Sequence, residues 1–483
     1  MTVNDELIRK AEQLKPGLYF RTVRKEGEDR ALSQGDAMVF DFSEHLTGTV
    51  SLELSYEGHH PDAPVRLILR FAENEKELSE DVKNYSGWIC RSWIQQEQVF
   101  VDTLPAELKL PRRYAFRYIR LEAADVSSRF ALWVKSITCT ASTSADEQAA
   151  VPFDTADQQL LRIDEVSKKT LKECMQDVFE DGPKRDRRLW LGDLRLQALT
   201  NAVTFRNFSL VKRCLYLFAG TGFGDGRMAA CVFTEPVPEA DDTYMFDYAL
   251  LFVRALADYY KATHDEEALR DLWPAAKAQF IQAERYFAED GTFRMQEEEG
   301  RCFIDWNLSL DKEFCAIGVW LYCAEAAKAL AKAVSDDAFL CLIRGKSKER
   351  TAAGKRYFDE EKGLFVSGKK KQVSMASQVW AVLGGLSEDG EIFARAEDAQ
   401  ALKMVSPYMY HYFLEALLKL GKTREVLDTI RSYWGGMLEN GADTFWELYD
   451  PEDPHGSPYG GTIVNSYCHA WSCTPSWFLR KLL

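Results

Sequence analysis

The 483 residues exceed what one compact core normally organises, so we expect two or three structural units. Hydrophobic residues make up 46% and charged residues 28%, which is typical of a globular protein, and no apolar run reaches membrane-spanning length. The formal net charge of −15, without a basic patch interleaved with aromatics, argues against nucleic acid or an anionic membrane as a partner.

The eleven cysteines are spread singly along the chain, and no Cys-x-x-Cys pair occurs. Their odd number and their positions within apolar helical patterns predict free, buried thiols in a reducing compartment. The first residues, MTVNDELIRKAEQLKPG, contain no apolar core of a signal peptide. We therefore expect a cytoplasmic protein without metal or cofactor, and we leave homo-oligomerisation open.

From about Ala37 to Ser142 the sequence alternates with a period of two. Short β-rich segments at 39–42, 49–54, 65–70, 116–121 and 132–137 are separated by Gly and Pro. Short strands at this spacing predict a β-sandwich, jelly-roll-like, over residues 1–145. The small and polar stretch 141–150 indicates a linker.

Beyond the linker, apolar residues recur at helical spacing. The pattern predicts ten helices, with a weaker eleventh at 391–400; the ten are at 157–180, 195–218, 244–263, 265–288, 310–334, 336–357, 374–386, 407–420, 422–438 and 465–482. A helical solenoid would show a repeat of fixed length, and none is found. We therefore favour an (α/α)₆ toroid barrel over residues 150–483, in which loops gather at one end.

One loop breaks the amphipathic pattern, EDGPKRDRRLWLGD at 180–193. It holds four carboxylates, three arginines and Trp190. Charges of mixed sign at this density shift one another's pKa values. A solvated, salt-bridged loop is the usual outcome of such a charge run, but such a loop needs neither Trp190 nor the glycines. We predict a functional loop.

Two further segments carry candidate residues. In GADTFWELYD at 441–450, the pair Trp446-Glu447 can seat a carboxylate beside a sugar face, or the segment simply plugs the end of the barrel. In CFIDWN at 302–307, Asp305 and Trp306 form a candidate third wall, although Trp306 fits an ordinary core position nearly as well.

The run Asp181-Gly-Pro-Lys-Arg-Asp-Arg187, closed by Trp190-Leu-Gly-Asp193, resembles the signature of glycoside hydrolase family 78, the α-L-rhamnosidases. Thr444-Phe-Trp-Glu447 resembles the family's Trp-Glu segment, and His469 resembles the histidine near its last barrel helix. The likeness spans roughly residues 35–483 and includes the order of a β domain before a helical toroid. It implies an inverting glycoside hydrolase that releases terminal α-L-rhamnose from a carbohydrate substrate.

The resemblance also implies roles for single residues. Asp186 matches the general acid and Glu447 the general base, while Asp181 and Asp193 match groups that bind sugar hydroxyls and tune the acid. An inverting glycosidase needs one protonated and one ionised carboxyl, ~6.5–9.5 Å apart. A toroid can bring the two distant loops to one mouth. The remaining predicted substrate contacts are Arg185, Trp190, Asp305, Trp306, Trp446 and His469.

Position 186 departs from the better-known members, which carry Glu there. Asp has one carbon–carbon bond less, roughly 1.5 Å of reach. Two alternatives therefore stay open. One is a carbohydrate-binding relative with weak or no catalysis; the other is a toroid glycosidase, or an unsaturated-uronide hydrolase, that acts on a different sugar.

Overall fold

The computed structural model describes residues 4–483 and consists of an antiparallel sheet domain followed by a helical domain. A first helix, Asp5–Gln13 (α1), precedes the sheet, and the Asn4 side chain caps it by accepting a hydrogen bond from the Leu7 N–H. Leu7 and Ala11 of α1 are buried in the core of the helical domain. The apolar face of α1 therefore packs on the helical domain, although α1 precedes the sheet in sequence.

Six strands form one hydrogen-bonded antiparallel sheet: Tyr19–Glu26 (β1), Ala37–Gly58 (β2), Val65–Ala72 (β3), Gln96–Val101 (β4), Ala106–Asp125 (β5) and Phe130–Thr143 (β6). Their order in the sheet is β1-β6-β2-β5-β3-β4. All five predicted strands lie within β2, β3, β5 or β6. Both unpredicted strands, β1 and β4, are sheet edges with mostly exposed side chains, so they lack a strong alternating apolar signal.

The sheet encloses an apolar core distinct from that of the helical domain. Leu52 in the long strand β2 is opposite Leu108 of β5 and Ile137 of β6, and all three side chains contribute to this core or pack against it. The register of β2 against β5 shifts between Asp41 and Leu46, which marks a bulge. Bulges increase the local twist of a strand, so these long strands need not run straight.

The helical domain begins after β6 and contains thirteen further α-helices among the described residues. They are Gln158–Cys174 (α2), Leu191–Val203 (α3), Phe208–Gly220 (α4), Phe246–Thr263 (α5), Glu266–Ala283 (α6), Glu313–Ala333 (α7), Asp337–Lys355 (α8), Met375–Leu383 (α9), Ile392–Asp398 (α10), Pro407–Lys419 (α11), Thr423–Thr429 (α12), Gly435–Glu439 (α13) and Pro475–Leu482 (α14). Six short strands lie in its loops: Leu189–Trp190 (β7), Cys231–Phe233 (β8), Glu239–Ala240 (β9), Phe358–Asp359 (β10), Leu364–Ser367 (β11) and Gln372–Val373 (β12).

Several predicted helices are divided or shortened. The single helix predicted over 195–218 is two helices, α3 and α4. The break follows from Arg206, which has φ 58°, and from Asn207, whose side chain caps α4 at the Leu210 N–H. The prediction over 465–482 is wrong before α14, which starts at Pro475 with its ring in the first turn.

Helices α3, α5, α7, α9 and α11 pack side by side in this order. The 3₁₀ segment Ala470–Cys473 packs on both α11 and α3, so the series of contacts that begins at α3 also ends at α3. Helix α7 is long and apolar enough to cross a membrane by length and composition, but 83% of its apolar window is buried inside the protein. Most of the predicted site residues lie in the segments that connect these helices.

Candidate active site

A cavity of about 730 Å³ opens where the sheet domain meets the loops of the helical domain. It is lined by nine of the ten predicted site residues, namely Asp181, Arg185, Asp186, Trp190, Asp193, Asp305, Trp306, Glu447 and His469. The tenth, Trp446, lies elsewhere. Three loops far apart in sequence therefore meet at one cavity.

Asp181 organises the charged loop. Its two carboxylate oxygens accept hydrogen bonds from the backbone N–H groups of Asp186 at 3.1 Å and Arg188 at 3.0 Å. The tight turn at position 182 requires glycine, because a side chain there would collide with the Arg185 carbonyl and with Ser466. These contacts fix the backbone from which Arg185 and Asp186 project into the cavity.

Arg185 joins the two predicted catalytic carboxylates. Its Nη2 donates to Glu447 Oε2 at 2.5 Å, and its Nη1 lies 3.5 Å from Asp186 Oδ1. A planar guanidinium separates its terminal nitrogens by only ~2.3 Å, so these two carboxylate oxygens are at most about 8 Å apart. The guanidinium also stacks on the Tyr459 ring at 4.1 Å. Glu447 and Asp186 therefore share one cation and one cavity.

Glu447 is buried, and both its carboxylate group and its backbone N–H are hydrogen bonded. The Tyr459 hydroxyl donates to its second carboxylate oxygen, and its backbone N–H donates to the Ser466 carbonyl at 3.0 Å. Burial raises the pKa of Glu447, while the charge of Arg185 and the Tyr459 hydrogen bond oppose that rise. Asp186 differs in exposure, since 21% of its side chain reaches solvent at the cavity wall.

Burial also raises the pKa values of two other carboxyl groups in the loop. The pKa of Asp181 rises to about 8, with the charge of Asp186 as the second cause. The pKa of Asp193 rises well above its usual range, first through burial and then through the charge of Asp181. Near neutral pH these groups retain protons, which gives the cavity buried hydroxyl donors beside the Glu447–Arg185 pair.

His469 faces Asp193, with its Nδ1 3.5 Å from Asp193 Oδ1. Burial and the charge of Arg185 lower the pKa of His469 well below its usual value, so the ring is neutral. Neither Asp193 Oδ1 nor His469 Nδ1 has a hydrogen-bond partner in the structure, although both atoms are buried. Both side chains line the cavity, where hydroxyl groups of a bound sugar can satisfy them.

Asp305 and Trp306 line the same cavity but make different contacts. The oxygens of Asp305 accept from the backbone N–H groups of Val405 at 3.0 Å and Ser406 at 3.1 Å, so they hold this turn against the segment that precedes α11. Burial raises the pKa of Asp305 to about 6. Trp306 presents its ring to the cavity, and its buried Nε1 has no partner. Asp305 is thus a support for Trp306.

The predicted substrate contact of Trp446 is not found in this cavity. Trp446 is buried, and its ring packs against Tyr467 at 5.1 Å and His455 at 5.3 Å. The Trp446 side chain therefore faces away from the cavity that Glu447 lines. Trp471 lines the cavity instead, and its Nε1 donates to the Glu447 carbonyl at 2.9 Å.

Comparisons with known proteins identify the family. Residues 18–141 match the glycosyl hydrolase family 78 alpha-rhamnosidase N-terminal domain, and residues 148–483 match the bacterial alpha-L-rhamnosidase 6 hairpin glycosidase domain. The chain belongs to glycoside hydrolase family 78. It is therefore a glycoside hydrolase of the α-rhamnosidase type, as the loop motif predicts.

Solved structures agree with this assignment. A rhamnosidase from Klebsiella oxytoca with rhamnose bound is 41% identical, covers 99% of both chains and superposes with a TM-score of 0.95. The family 78 rhamnosidase of Bacillus sp. GL1 is 23% identical, with 92% of this chain and 46% of that chain covered and a TM-score of 0.77. The second likeness shows the fold alone. No curated protein matches the sequence.

The sheet domain of this family 78 enzyme helps to build the site. Glu77 forms a buried ion pair with Lys184 of the charged loop, and Lys184 also donates to the Asn465 carbonyl at 2.8 Å. Glu73 accepts from the Tyr467 N–H at 2.7 Å. The sheet domain thus holds both the loop of Arg185 and the segment that precedes His469.

Several cavity residues are absent from the sequence-based prediction. Tyr459 and Trp471 have no local signature, although Tyr459 lies in the Pro- and Gly-rich loop 451–461 that follows the Glu447 segment. Tyr248 packs so closely on the motif's Gly192 that any side chain at 192 would overlap its ring. Trp88 comes from the sheet domain, which the sequence assigns no part in the site. Among residues 4–483, no cluster of three or more His, Cys, Asp or Glu is placed to hold a metal ion.

Proposed function

We propose that this family 78 enzyme hydrolyses terminal α-L-rhamnosides with inversion at C1. The observation that carries the proposal is the Arg185 guanidinium, which contacts both Glu447 and Asp186 and limits the separation of their oxygens to about 8 Å. This limit is compatible with the ~6.5–9.5 Å that an inverting mechanism needs to seat a water. The 41% identical Klebsiella oxytoca rhamnosidase, which has rhamnose bound, supports the choice of sugar.

In the proposed reaction, Asp186 donates its proton to the glycosidic oxygen as the bond from C1 to that oxygen breaks. Glu447 takes a proton from a water molecule, and the water oxygen bonds to C1 from the opposite face. The bound sugar displaces water from the cavity, and desolvation favours the uncharged form of a carboxyl group. The products are free rhamnose of inverted configuration and the protonated leaving group.

The surrounding contacts support this division of roles. The charge of Arg185 and the Tyr459 hydrogen bond favour the ionised form of Glu447, which a base requires. Asp186 is the carboxylate with exposure at the cavity wall, where a glycosidic oxygen can reach it. We assign Asp181, Asp193 and His469 to the sugar hydroxyl groups, with Asp181 also fixing the backbone of Asp186.

The finer architecture belongs to the same proposal. The cycle of contacts from α3 through α11 and back to α3 supports an (α/α)₆ toroid, consistent with the six-hairpin family description. The long, bulged strands β2 and β5 support a sheet folded over its own core as a β-sandwich, with the domain boundary near residues 145–150.

We further propose a cytoplasmic location. All eleven cysteines are free, and the buried sulfurs of Cys174 and Cys468 lie 4.0 Å apart without a bond. Unpaired thiols this close to each other are expected in a reducing compartment.

The test is proton NMR of the reaction with 4-nitrophenyl α-L-rhamnoside, alongside a panel of other 4-nitrophenyl glycosides. We expect turnover of the rhamnoside with β-L-rhamnose as the first anomer, before mutarotation. First release of the α anomer would refute inversion, and faster turnover of another sugar would refute the substrate. Saturable rhamnose binding without turnover would identify a binding relative that has lost catalysis.

A further inference from the structure

We propose that the leaving-group side of the cavity is an apolar subsite for a flat aromatic aglycone, formed by Trp88 of the sheet domain and Leu308 of the helical domain. This inference rests on the proposed function and names the group from which the sugar is released.

Trp88 and Leu308 are unusual in their exposure. Leu308 is 88% exposed and Trp88 is 70% exposed, and these are the largest values among the exposed large apolar side chains of the described residues. Both line the cavity, together with the apolar side chains of Ile89 and Trp93. Exposed apolar surface gathered at the mouth of a cavity marks a ligand-binding surface, because leaving it in water is unfavourable.

Trp88 is exposed but held in place. Its Nε1 donates to the Pro458 carbonyl at 2.8 Å, and the neighbouring Tyr85 hydroxyl donates to the Tyr459 carbonyl at 2.9 Å. A side chain at Gly87 would overlap that same Tyr459 carbonyl oxygen. The ring therefore has one edge anchored to the helical domain while most of its surface is open, as a stacking platform requires.

The position of Trp88 fits a leaving group. The Tyr459 ring lies between the two parts of the site, 4.1 Å from the Arg185 guanidinium and 5.4 Å from the centroid of the Trp88 ring. Trp88 is thus one aromatic ring farther from the catalytic pair than Tyr459. A sugar whose C1 lies between Asp186 and Glu447 occupies the inner part of the cavity, so its substituent extends to the outer part.

The chemistry of the lining favours an aromatic group over a second sugar. No Ser, Thr, Asn or Gln side chain of the described residues lines this cavity, and these are the neutral groups that commonly bind sugar hydroxyls. Leu308 offers apolar contact without hydrogen bonds. The cations Arg188, Arg301 and Lys312 also line the cavity, so an acidic sugar is the alternative that the experiment must exclude.

The experiment is isothermal titration calorimetry with sulfur-linked rhamnosides, which separate binding from leaving-group reactivity. The probes are 2-naphthyl 1-thio-α-L-rhamnoside, methyl 1-thio-α-L-rhamnoside, a sulfur-linked rhamnosyl uronic acid and free L-rhamnose. We expect the naphthyl compound to bind at least about tenfold more tightly than the methyl compound. In Trp88→Ala this ratio should fall to near one, and in Leu308→Ala it should fall several-fold.

Two matched variants distinguish a loss of stacking on Trp88 from a general loss of folding. Trp88→Phe retains a ring without the indole N–H and should keep part of the preference. Phe100→Ala, at a 62% exposed position on the edge strand β4 outside the cavity, should change neither affinity. Equal affinities of the unmodified enzyme for the two thioglycosides, equal losses of both in Trp88→Ala, or tighter binding of the uronide would overturn the subsite.

Rhamnose itself distinguishes the two proposals. Normal binding of L-rhamnose and normal turnover of 4-nitrophenyl α-L-rhamnoside, without an aromatic preference, would overturn the subsite alone. If the unmodified enzyme neither binds L-rhamnose nor hydrolyses 4-nitrophenyl α-L-rhamnoside, the subsite and the proposed function are overturned together.

Discussion

Arg185 donates a 2.5 Å hydrogen bond to Glu447, although 262 positions separate the two residues in sequence. The same guanidinium contacts Asp186 and stacks on Tyr459, so one side chain connects the two proposed catalytic groups to the aromatic wall. Its burial makes the contact specific, because a buried cation needs its carboxylate partner.

Glu447→Gln should reduce kcat by about 10²–10⁴-fold, because an amide cannot take a proton from water. Azide needs no deprotonation, so adding sodium azide should restore part of the rate and yield β-L-rhamnosyl azide. Stopped assays with product NMR measure both effects. A variant with a nearly normal rate in water would remove Glu447 from the role of base.

Asp186→Asn should reduce kcat most for substrates whose leaving group must be protonated in order to depart. We expect a loss of about 10²–10⁴-fold with a methyl rhamnoside and a much smaller loss with 2,4-dinitrophenyl α-L-rhamnoside, whose phenolate leaves unaided. Asp181→Asn is the matched comparison within the same loop. If Asp181→Asn shows this leaving-group dependence and Asp186→Asn does not, the proton donor is Asp181.

The pH dependence of kcat/KM should be bell-shaped. Glu447 must be ionised, and because burial raises its pKa, the acid side should lie above pH 4.5. The alkaline side should lie near pH 8, where Asp181 loses its proton. Asn cannot ionise, so Asp181→Asn should move the alkaline side away from pH 8. An unchanged alkaline side in this variant would assign it to another group.

Glu77→Gln should destabilise the fold by about 3–5 kcal/mol, because it leaves the Lys184 cation buried and unpaired. The double variant Glu77→Met/Lys184→Met should recover most of this loss, since it removes both charges. Urea denaturation measures the free energy of unfolding. Glu452→Gln is the control, because its pair with Lys403 is exposed and should contribute about 0–1 kcal/mol.

Acid should destabilise the enzyme through His411. Burial lowers the pKa of His411 to about 3, below its usual 6.5, so the folded state keeps the ring neutral. The stabilisation is present above pH 6.5 and declines at about 1.4 kcal/mol per unit as the pH falls toward 3. His411→Gln should therefore flatten the fall of Tm between pH 6.5 and 4, whereas His59→Gln at an exposed position should not. Identical slopes in both variants would contradict this.

The sequence indicates the parts of the site that are encoded locally. The loop 180–193 is predictable because its charges, glycines and Trp190 interrupt a helical pattern, and all its predicted site residues line the cavity. Glu447 is predictable for the same reason. Composition cannot show which side of an irregular segment a residue faces, so the sequence does not indicate that Trp446 lies outside this cavity. The tryptophan that lines the cavity is Trp471, two residues after His469.

The contribution of the sheet domain depends on contacts between distant segments. Trp88 and Glu77 lie in segments without a chemical motif. They gain a role only because the sheet domain contacts Pro458 through Trp88 and Lys184 of the charged loop through Glu77. The edge strands β1 and β4 and the packing of α1 on the helical core also depend on partners far along the chain. No local pattern encodes these partners.

The most direct test is a crystal structure of Glu447→Gln with an uncleaved aryl α-L-rhamnoside. Asp186 should lie within hydrogen-bond distance of the glycosidic oxygen, with residue 447 on the opposite face of C1 and room between them for one water. A sugar bound outside this cavity, or both side chains on the same face of the ring, would contradict the proposed mechanism.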